Sequence, residues 1–357
     1  MEKIRPDEFE TEGGPSTIPE LKPLFDRDAR ITMAAALGFL HPHDSVFELC
    51  IIGPKLLTSS LWEGYAGGKK AVLSGWFRDH DKAVALAAQV QAAGIHITLN
   101  TCKEALLARA NERLVAGVGR TKDAEIQHIR NLLIDLDPIR PEGISSTDAE
   151  HEAALEMAEI IRADLENQGW SEPLVGDSGN GRHLVYPLDL PRGEETAALL
   201  KAVLAGLAQR YSDHLVRLNL ELDQVVFNPA RLTKLYGTMA CKGDHTQDRP
   251  HRLARILSLP AARLPVPIEL LEGIAQEAEP KETFGTKPLH GRTAMNFDLE
   301  GYLHHYGVEV LRVKPHAGGC SIAWSIVSSI PPPTVGRQPL AKRLMGRCFI
   351  SASTSLA

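Results

Sequence analysis

The segment NLLIDLDPIR, residues 131–140, carries two aspartates inside an otherwise apolar run. Burying a carboxylate without a partner is costly, so two of them in one strand need an explanation. In a β-strand, successive side chains point to opposite faces. The even-numbered residues of this stretch then face the core, whereas the odd-numbered Leu133, Asp135 and Asp137 face the open side.

The spacing of the two carboxylates suits a divalent cation. Their Cα atoms lie about 6.5–7 Å apart along a strand, so both can reach one ion, or one each of a pair about 3.5–4 Å apart. Mg²⁺ and Mn²⁺ are hard ions that prefer carboxylate and phosphate oxygen. A plainer interpretation is that Asp137 opens the turn before Pro138 and Asp135 faces solvent, and the strand alone leaves both interpretations open.

Composition and charge exclude several classes of protein. The chain has 357 residues, enough for about two domains. It has no apolar run of about 18 residues, and residues 1–20 lack the apolar stretch of a signal peptide, so we expect neither a membrane span nor a signal peptide. Five scattered cysteines without a CxxC pair indicate a reducing cytoplasm. The net charge of −6 means that nucleic acid would have to bind through a local basic patch.

The elements predicted around the aspartates have the order of a ferredoxin-like, or RRM-like, sheet. This β-α-β-β-α-β order places both helices on one face and makes the fold α+β. Hydrophobic periodicity, capping residues and turn residues predict these elements. They are a strand over 131–137, a helix over 146–169, strands over 172–176 and 182–188 joined by the turn DSGNG, a helix over 193–211 and a strand over 221–227.

The residues before this sheet predict an N-terminal α/β module packed on it. Helices are expected over 29–40, 79–94 and 102–115, with strands between them. The tail from about His316 has no clear period, and we expect an incomplete C-terminal unit, truncated or frame-shifted near residues 317–325. The predicted divisions are an acidic tail (1–28), a catalytic domain (29–262) made of the module (29–125) and an RRM-like palm with a basic extension (126–262), a linker (263–295) and the small C-terminal unit (296–357).

Topology brings further polar residues to the two aspartates. In the ferredoxin-like order the first strand lies between the third and the fourth, so His183 and Asp223 are expected beside Asp135 and Asp137. In the turn, Gly179 and Gly181 permit positive φ and leave backbone N–H groups open to phosphate oxygens. The same Gly-Asn-Gly sequence is also that of an ordinary hairpin turn.

A basic run follows the last predicted strand. Arg231 and Lys234 are predicted phosphate ligands, with a solvated basic helix face as the alternative. Lys242, Arg249 and Arg252 continue the run and can hold the phosphates of a template strand.

Three stretches resemble motifs of a known family, the archaeo-eukaryotic primase superfamily. LLIDLDP, DSGNGRHLVYPL and ELDQVVFNPARLTKLYGT resemble its motifs I, II and III, in the form found in the bifunctional primase-polymerase domains of plasmids and prophages. The resemblance covers about Arg30 to Leu259. Motif II departs slightly, since the small residue two positions before His183 is Gly181, which has no hydroxyl group.

The resemblance implies metal-dependent nucleotidyl transfer, as in a DNA primase or DNA polymerase. Asp135, Asp137 and Asp223 would hold two Mg²⁺ or Mn²⁺ ions, and His183, helped by Ser178 and Arg182, would contact the triphosphate. The implied partners are a single-stranded DNA template, nucleoside triphosphates and a separate replicative helicase, since the chain has no GxxxxGK[ST] loop.

Two other functions remain open from the sequence. A rolling-circle initiator endonuclease shares the sheet topology but needs a His-hydrophobe-His metal motif and a nucleophilic tyrosine. His41 and His43 offer the nearest spacing, with a proline between them. The third candidate is a catalytically inactive accessory that binds single-stranded DNA.

The region after the catalytic domain contains four potential zinc ligands without the paired spacing of a zinc site. They are His304, His305, His316 and Cys320.

Overall fold

The computed structural model describes residues 27–67, 71–278, 308–316, 319–327 and 343–351. The expected acidic tail falls outside these residues up to position 26, and so do residues 279–295 of the expected linker. Contacts divide the chain into two units, Met1–Lys281 and Glu282–Ala357.

The first unit is a mixed α+β structure, as the sequence predicts at this level. Its helices are α1 Arg27–Leu40, α2 His80–Ala87, α3 Asp148–Asn167, α4 Glu194–Arg210, α5 Ser212–Leu218 and α6 Ile268–Ala275, with 3₁₀ turns at Glu104–Ala108 and Asp123–Glu125. Its strands are β1 Phe47–Pro54, β2 Trp62–Glu63, β3 Val72–Phe77, β4 Ala92–Thr98, β5 Thr101–Cys102, β6 Leu114–Ala116, β7 Ile126–Pro138, β8 Leu174–Asp177, β9 Arg182–Pro191, β10 Leu220–Leu222, β11 Leu232–Lys234, β12 Met239–Ala240, β13 Arg252–Leu253 and β14 Arg255–Ser258.

The first sheet has the order β11-β4-β1-β3-β6-β2. Leu49 of β1 pairs with Ile97 of β4, and Ile51 pairs with Ile95; all four side chains are buried. The sheet is completed by β11, which lies more than a hundred residues further along the chain and pairs antiparallel with β4. The N-terminal module is therefore not built from local sequence alone.

The second sheet has the order β10-β7-β9-β8-β14, with the short β5 also pairing with β7. The strands β7, β9, β8 and β10 are antiparallel neighbours. Along the chain they are interrupted by α3, between β7 and β8, and by α4 and α5, between β9 and β10. The long strand β7 therefore has β9 on one side and β10 on the other.

Helix α3 begins as its sequence predicts. The Thr147 hydroxyl accepts a hydrogen bond from the Glu150 N–H, and the Glu150 carboxylate accepts one from the Thr147 N–H. This capping box satisfies two of the backbone donors that a helix start leaves open. The buried stripe runs through Ala154, Ala158 and Ile161 on the core side.

The helix expected over 79–94 is wrong in its second half. Helix α2 ends at Ala87, and strand β4 begins at Ala92. The Ala-rich composition favours a helix, but Ile95 and Ile97 are buried at alternate positions against β1. The burial of two β-branched side chains in a sheet outweighs the helical propensity of the residues before them.

The helix expected over 102–115 is also wrong. Only the 3₁₀ turn Glu104–Ala108 forms, and β6 follows at Leu114. Between them Glu112 has a positive φ of 52°, and its carboxylate accepts hydrogen bonds from the N–H groups of Arg78 and Asp79. These tertiary bonds hold the chain in a turn that a helix cannot contain.

The strand expected over 221–227 is shorter, because β10 ends at Leu222. The carboxylate of Asp223 then accepts a hydrogen bond from the N–H of Val225 at 2.8 Å, which begins a turn. Asx turns of this kind compete with strand pairing.

Residues 263–278, inside the range expected as a linker, pack on the first unit. The Arg263 guanidinium donates to the Phe39 carbonyl and to the Asn131 side chain. The N–H of Val266 donates to the carbonyl of Pro187. Leu271 and Ile274 of α6 are buried. This segment is part of the folded unit rather than a free connection.

The second unit is described as one antiparallel sheet. Its strands are β15 Val308–His316, β16 Gly319–Val327 and β17 Arg343–Ser351, in the order β15-β16-β17. Two of the four potential zinc ligands in the C-terminal region, His304 and His305, lie outside the described residues. Within the described ranges, no helix has the length and apolar character needed to cross a bilayer.

We predict opposite effects for two glycines at the contact between α4 and α6. A Cβ on Gly206 would lie 2.1 Å from the Ile274 carbonyl oxygen, whereas one on Gly273 meets no atom within 4 Å. Gly206→Ala should lower the free energy of unfolding by about 1–3 kcal/mol, and Gly273→Ala should raise it by about 0.5–1 kcal/mol. Urea denaturation measures both, and equal effects would contradict the packing of α6 on α4.

Candidate functional site

Asp135 and Asp137 of β7 line one cleft of about 300 Å³. Their side chains are 27% and 29% exposed, whereas Ile134 and Leu136 between and beside them are fully buried. Leu133, two positions before Asp135, also lines the cleft. The alternation of β7 therefore places both carboxylates on the open face, as the sequence predicts.

His183 of β9 lies directly opposite Asp135 in the strand register. Its Nε2 atom is 3.4 Å from an Asp135 carboxylate oxygen, and its ring also lines the cleft. The backbone N–H of Asp223 donates to the Asp135 carbonyl at 3.0 Å. The structure therefore places the His183 side chain, on β9, and the Asp223 backbone, directly after β10, next to Asp135.

A fourth acidic residue, after Asp135, Asp137 and Asp223, lies on the same face of the second sheet. Glu221 of β10 is paired with Asp137, and directly opposite residues of an antiparallel pair share a face. The sequence prediction did not include Glu221, although the pattern Glu-Leu-Asp has the same spacing as Asp-Leu-Asp.

The donor chemistry fits a hard divalent cation, but a compact ligand cluster is not already formed. Carboxylate oxygens are the ligands such ions prefer. In the described part of the chain, no three His, Cys, Asp or Glu side chains are gathered closely enough to hold a metal ion. Asp223 uses one carboxylate oxygen for the N–H of Val225 and is not part of the cleft lining, whereas Asp135 and Asp137 both face the cleft.

Cations of the protein itself compensate the carboxylates. Burial favours a higher pKa for the Asp135 carboxyl, but His183, Lys242 and Arg231 outweigh this effect and hold that pKa below its usual value. Asp137 accepts a hydrogen bond from Arg140 at 3.1 Å and lies 3.6 Å from the Lys242 ammonium. Positive charge surrounds the two acids before any ligand is considered.

The turn DSGNG does not offer its backbone N–H groups to a ligand, which corrects the phosphate-cradle expectation. Gly179 has the positive φ of 90° that the sequence predicts. Its N–H donates to Asp177, however, and the Asn180 and Gly181 N–H groups donate to the Ser178 hydroxyl. Ser178 and Asn180 themselves line the cleft.

Gly181 is required for a reason other than positive φ. A Cβ at this position would lie 2.1 Å from the Leu136 carbonyl oxygen and 2.9 Å from an Asp137 carboxylate oxygen. The glycine thus lets the turn approach β7 closely.

Three predicted arginine ligands bind the protein instead of facing the cleft. Arg182 is the strand neighbour of His183 and points to the opposite face, where its buried guanidinium pairs with Asp177 at 3.2 Å and contacts His151. Arg249 pairs with Glu150, and Arg252 pairs with Asp148 and the Ser146 carbonyl. These partners all belong to α3, to the residues just before it, or to β8.

Arg231, Lys234 and Lys242 do line the cleft. Lys234 is only 7% exposed, and its ammonium donates to the Met239 carbonyl at 2.6 Å. Burial lowers the pKa of Lys234 to about 8. Of the five predicted cationic ligands after β10, these three are the ones that the structure brings to the carboxylates.

Tyr236 contacts His183 and was not among the site residues predicted from the sequence. Its hydroxyl lies 2.8 Å from His183 Nδ1, and burial, together with the charge of Asp135, raises the pKa of the phenol. A Cβ on Gly176 would lie 2.4–2.5 Å from the Tyr236 ring. In the sequence, the only indication of this role is that Tyr236 follows Lys234 by two residues in LTKLYGT.

The His-Pro-His stretch lies apart from this cleft. His41 is buried, and its Nε2 atom lies 2.8 Å from the Thr98 carbonyl oxygen. Burial lowers the pKa of His41 to about 3. His43 stacks on His80 at 5.2 Å between ring centroids. Neither histidine is among the residues that line the cleft, so the geometry gives no support to the endonuclease alternative.

We predict that Arg249 and Lys242 have separable effects on stability. Removing Arg249 leaves Glu150 and the Ser145 carbonyl without their shared donor, so Arg249→Ala should lower the free energy of unfolding by about 1–3 kcal/mol. Lys242 is half exposed, and Lys242→Ala should change it by less than about 0.5 kcal/mol. Chemical denaturation of both variants checks this, and an unchanged Arg249→Ala protein would return that residue to the list of free ligands.

We predict a pH signature for Lys234. Its folded pKa of about 8 lies below the value of roughly 10.4 for an unfolded lysine. The unfolded chain therefore binds more protons between these values, so the contribution of Lys234 to the free energy of unfolding becomes more favourable as pH rises from about 8 to 10. The free energy of unfolding of wild type minus that of Lys234→Met should therefore increase from about pH 8 to 10. Parallel curves for the two proteins would contradict the burial of the charge.

The comparison with solved structures includes a weak likeness to a DNA polymerase domain. The polymerase domain of Ligase D from Mycobacterium tuberculosis, solved in complex with DNA, matches with a TM-score of 0.34 and 17% sequence identity, covering 70% of this chain and 88% of that one. At this TM-score the likeness supports no conclusion about fold or function. No family model matches the chain, and no curated protein matches it.

Proposed function

We propose that the chain is a nucleotidyltransferase of the primase-polymerase type, which adds nucleotides from (d)NTPs to a strand directed by a single-stranded DNA template. The observation that supports this most is the composition of one cleft. Asp135 and Asp137 face it from β7, and His183, Arg231 and Lys234 line it from β9 and from the segment at β11. Carboxylates that can bind divalent cations and basic side chains that can bind a triphosphate therefore line the same cleft.

The proposed cofactors are two Mg²⁺ or Mn²⁺ ions. Asp135 and Asp137 would hold them, with Asp223 beside Asp135. When bound, such ions neutralise charge and orient the attacking and leaving oxygens of an in-line displacement. The low pKa of Asp135 keeps this carboxylate ionised at neutral pH and ready to bind a cation.

The remaining cleft residues would bind and orient the nucleotide. Lys234 and Arg231 would neutralise the triphosphate, and His183, held from behind by Tyr236, would contact it. The 3′-hydroxyl of a primer or first nucleotide would then attack the α-phosphate, lose its proton to solvent and displace pyrophosphate, with catalysis coming mainly from positioning and charge neutralisation.

The wider setting is part of the same proposal. A ferredoxin-like, RRM-like palm is supported by the position of β7 between β9 and β10. Lys242, which lines the cleft and is half exposed, is the residue we assign to the template strand. Replication of a plasmid or prophage in the cytoplasm, with a separate helicase, is the proposed role.

We predict that Asp135→Asn combined with Asp137→Asn abolishes template-directed extension. The expected loss exceeds about 10³-fold, since both acids that hold the ions are neutralised. A gel assay would supply dNTPs or rNTPs with Mn²⁺ on primed and unprimed single-stranded DNA. The control is Asp81→Asn, an exposed acid on α2, which should extend the primer at the wild-type rate.

The same samples distinguish the accessory function. Wild type that binds single-stranded DNA, measured by fluorescence anisotropy, but incorporates no nucleotide under any of these conditions would contradict the polymerase proposal and favour an inactive binding protein. Unchanged synthesis by the double variant would remove Asp135 and Asp137 from the mechanism.

A further inference from the structure

His96 of β4 lines the same cleft from the first sheet. In the strand register it stands opposite Lys234 of β11 on one side and Cys50 of β1 on the other. The histidine thus belongs to the first sheet, next to Lys234, whereas the carboxylates of β7 line the cleft from the second sheet. Nothing in the mechanism described above uses it.

The ring of His96 has an unused polar atom. Its Nδ1 is buried and meets no hydrogen-bond partner among the residues that the structure describes. A Cβ on Gly94 would lie 2.5 Å from the ring carbon Cε1, so the glycine gives the ring its place. A buried polar atom without a partner is costly, so it requires an explanation such as a functional role or a bound ion.

Four positively charged or protonatable groups act electrostatically on this ring. In decreasing order of their effect they are Lys234, His183, Lys242 and Arg120, and the first three also line the cleft. Burial first, and then these groups, lowers the pKa of His96 to about 3. The imidazole is therefore neutral, with one N–H donor and one acceptor nitrogen.

An anion is the ligand that this arrangement favours. The cations of the cleft, Lys234 and Lys242 among them, attract negative charge, and a neutral imidazole adds a hydrogen-bond donor without adding a further cation to be desolvated. A polyphosphate presents acceptor oxygens only, which suits an N–H donor flanked by ammonium groups. A neutral sugar or base would not relieve the mutual repulsion of the cations.

We propose that His96 is a further phosphate-binding residue of this cleft, whose ring N–H donates from the first sheet to the polyphosphate of the incoming nucleotide. The inference rests on the proposed function and names one more ligand of its substrate. An anion held near His96 and Lys234 would also reverse the local electric field and favour uptake of a proton by the His96 ring.

Imidazole NMR of the full chain tests the contact without metal or DNA. Long-range ¹H–¹⁵N spectra would be recorded while sodium tripolyphosphate is added, and His96→Asn would assign the His96 signals. The expected result is a saturable shift of these signals in wild type. His96→Phe should bind tripolyphosphate about tenfold more weakly, while His128→Gln, which alters a surface histidine bonded to Asp189, should bind it as wild type does.

Each outcome decides a separate point. Stationary His96 signals at saturating tripolyphosphate, or unchanged affinity in a folded His96→Phe protein, would overturn the inference. If His96→Phe does not fold, the wild-type titration decides alone. Movement with a short oligodeoxynucleotide but not with tripolyphosphate would assign the residue to a phosphodiester instead and overturn the polyphosphate assignment.

The primer-extension assay separates this inference from the proposed function. Extension by wild type together with stationary His96 signals would leave the polymerase function standing and remove His96 from it. A His96 shift with tripolyphosphate in a protein that extends no primer would support the phosphate contact and contradict the polymerase function.

Discussion

The pairing of β7 with β9 and β10 is the constraint on which the site depends. Directly opposite residues in an antiparallel pair share a face, so the register that joins Asp135 to His183 and Asp137 to Glu221 fixes all four side chains on one side of the sheet. A slip by one residue would send them into the core. The approach of Gly181 to the Leu136 carbonyl, too close for any Cβ, favours this register.

The same rule explains which predicted ligands do not reach the cleft. Alternation along β7 predicted correctly that Asp135 and Asp137 face away from the core, because the period of a strand is readable from the sequence. Applied to β9, that period separates Arg182 from His183, and the structure places Arg182 with Asp177 and His151. Proximity to a motif histidine in sequence was therefore a misleading signal for a residue in a strand.

Other features depend on contacts that no local pattern contains. The second half of the helix expected over 79–94 does not form because β4 is stabilised by β1 and by β11, a strand more than a hundred residues further along the chain. The ion pairs of Arg249 with Glu150 and of Arg252 with Asp148 join residues about a hundred positions apart. A run of basic residues in sequence predicts a charged surface, but only the fold shows that some of these charges hold the start of α3 and others stay in the cleft.

The charges that stay in the cleft make its two halves depend on each other. Lys242 lies 3.6 Å from Asp137 and lowers, with His183 and Arg231, the pKa of Asp135. In the proposed function, a divalent cation at the aspartates would take over this compensation and leave Lys242 and Arg231 to bind phosphate. Metal and nucleotide would then bind with positive coupling, because each relieves the repulsion that the other meets. In the proposed function, the cations of the cleft thus stabilise its acids in the absence of metal and would attract the anionic substrate once the ions are bound.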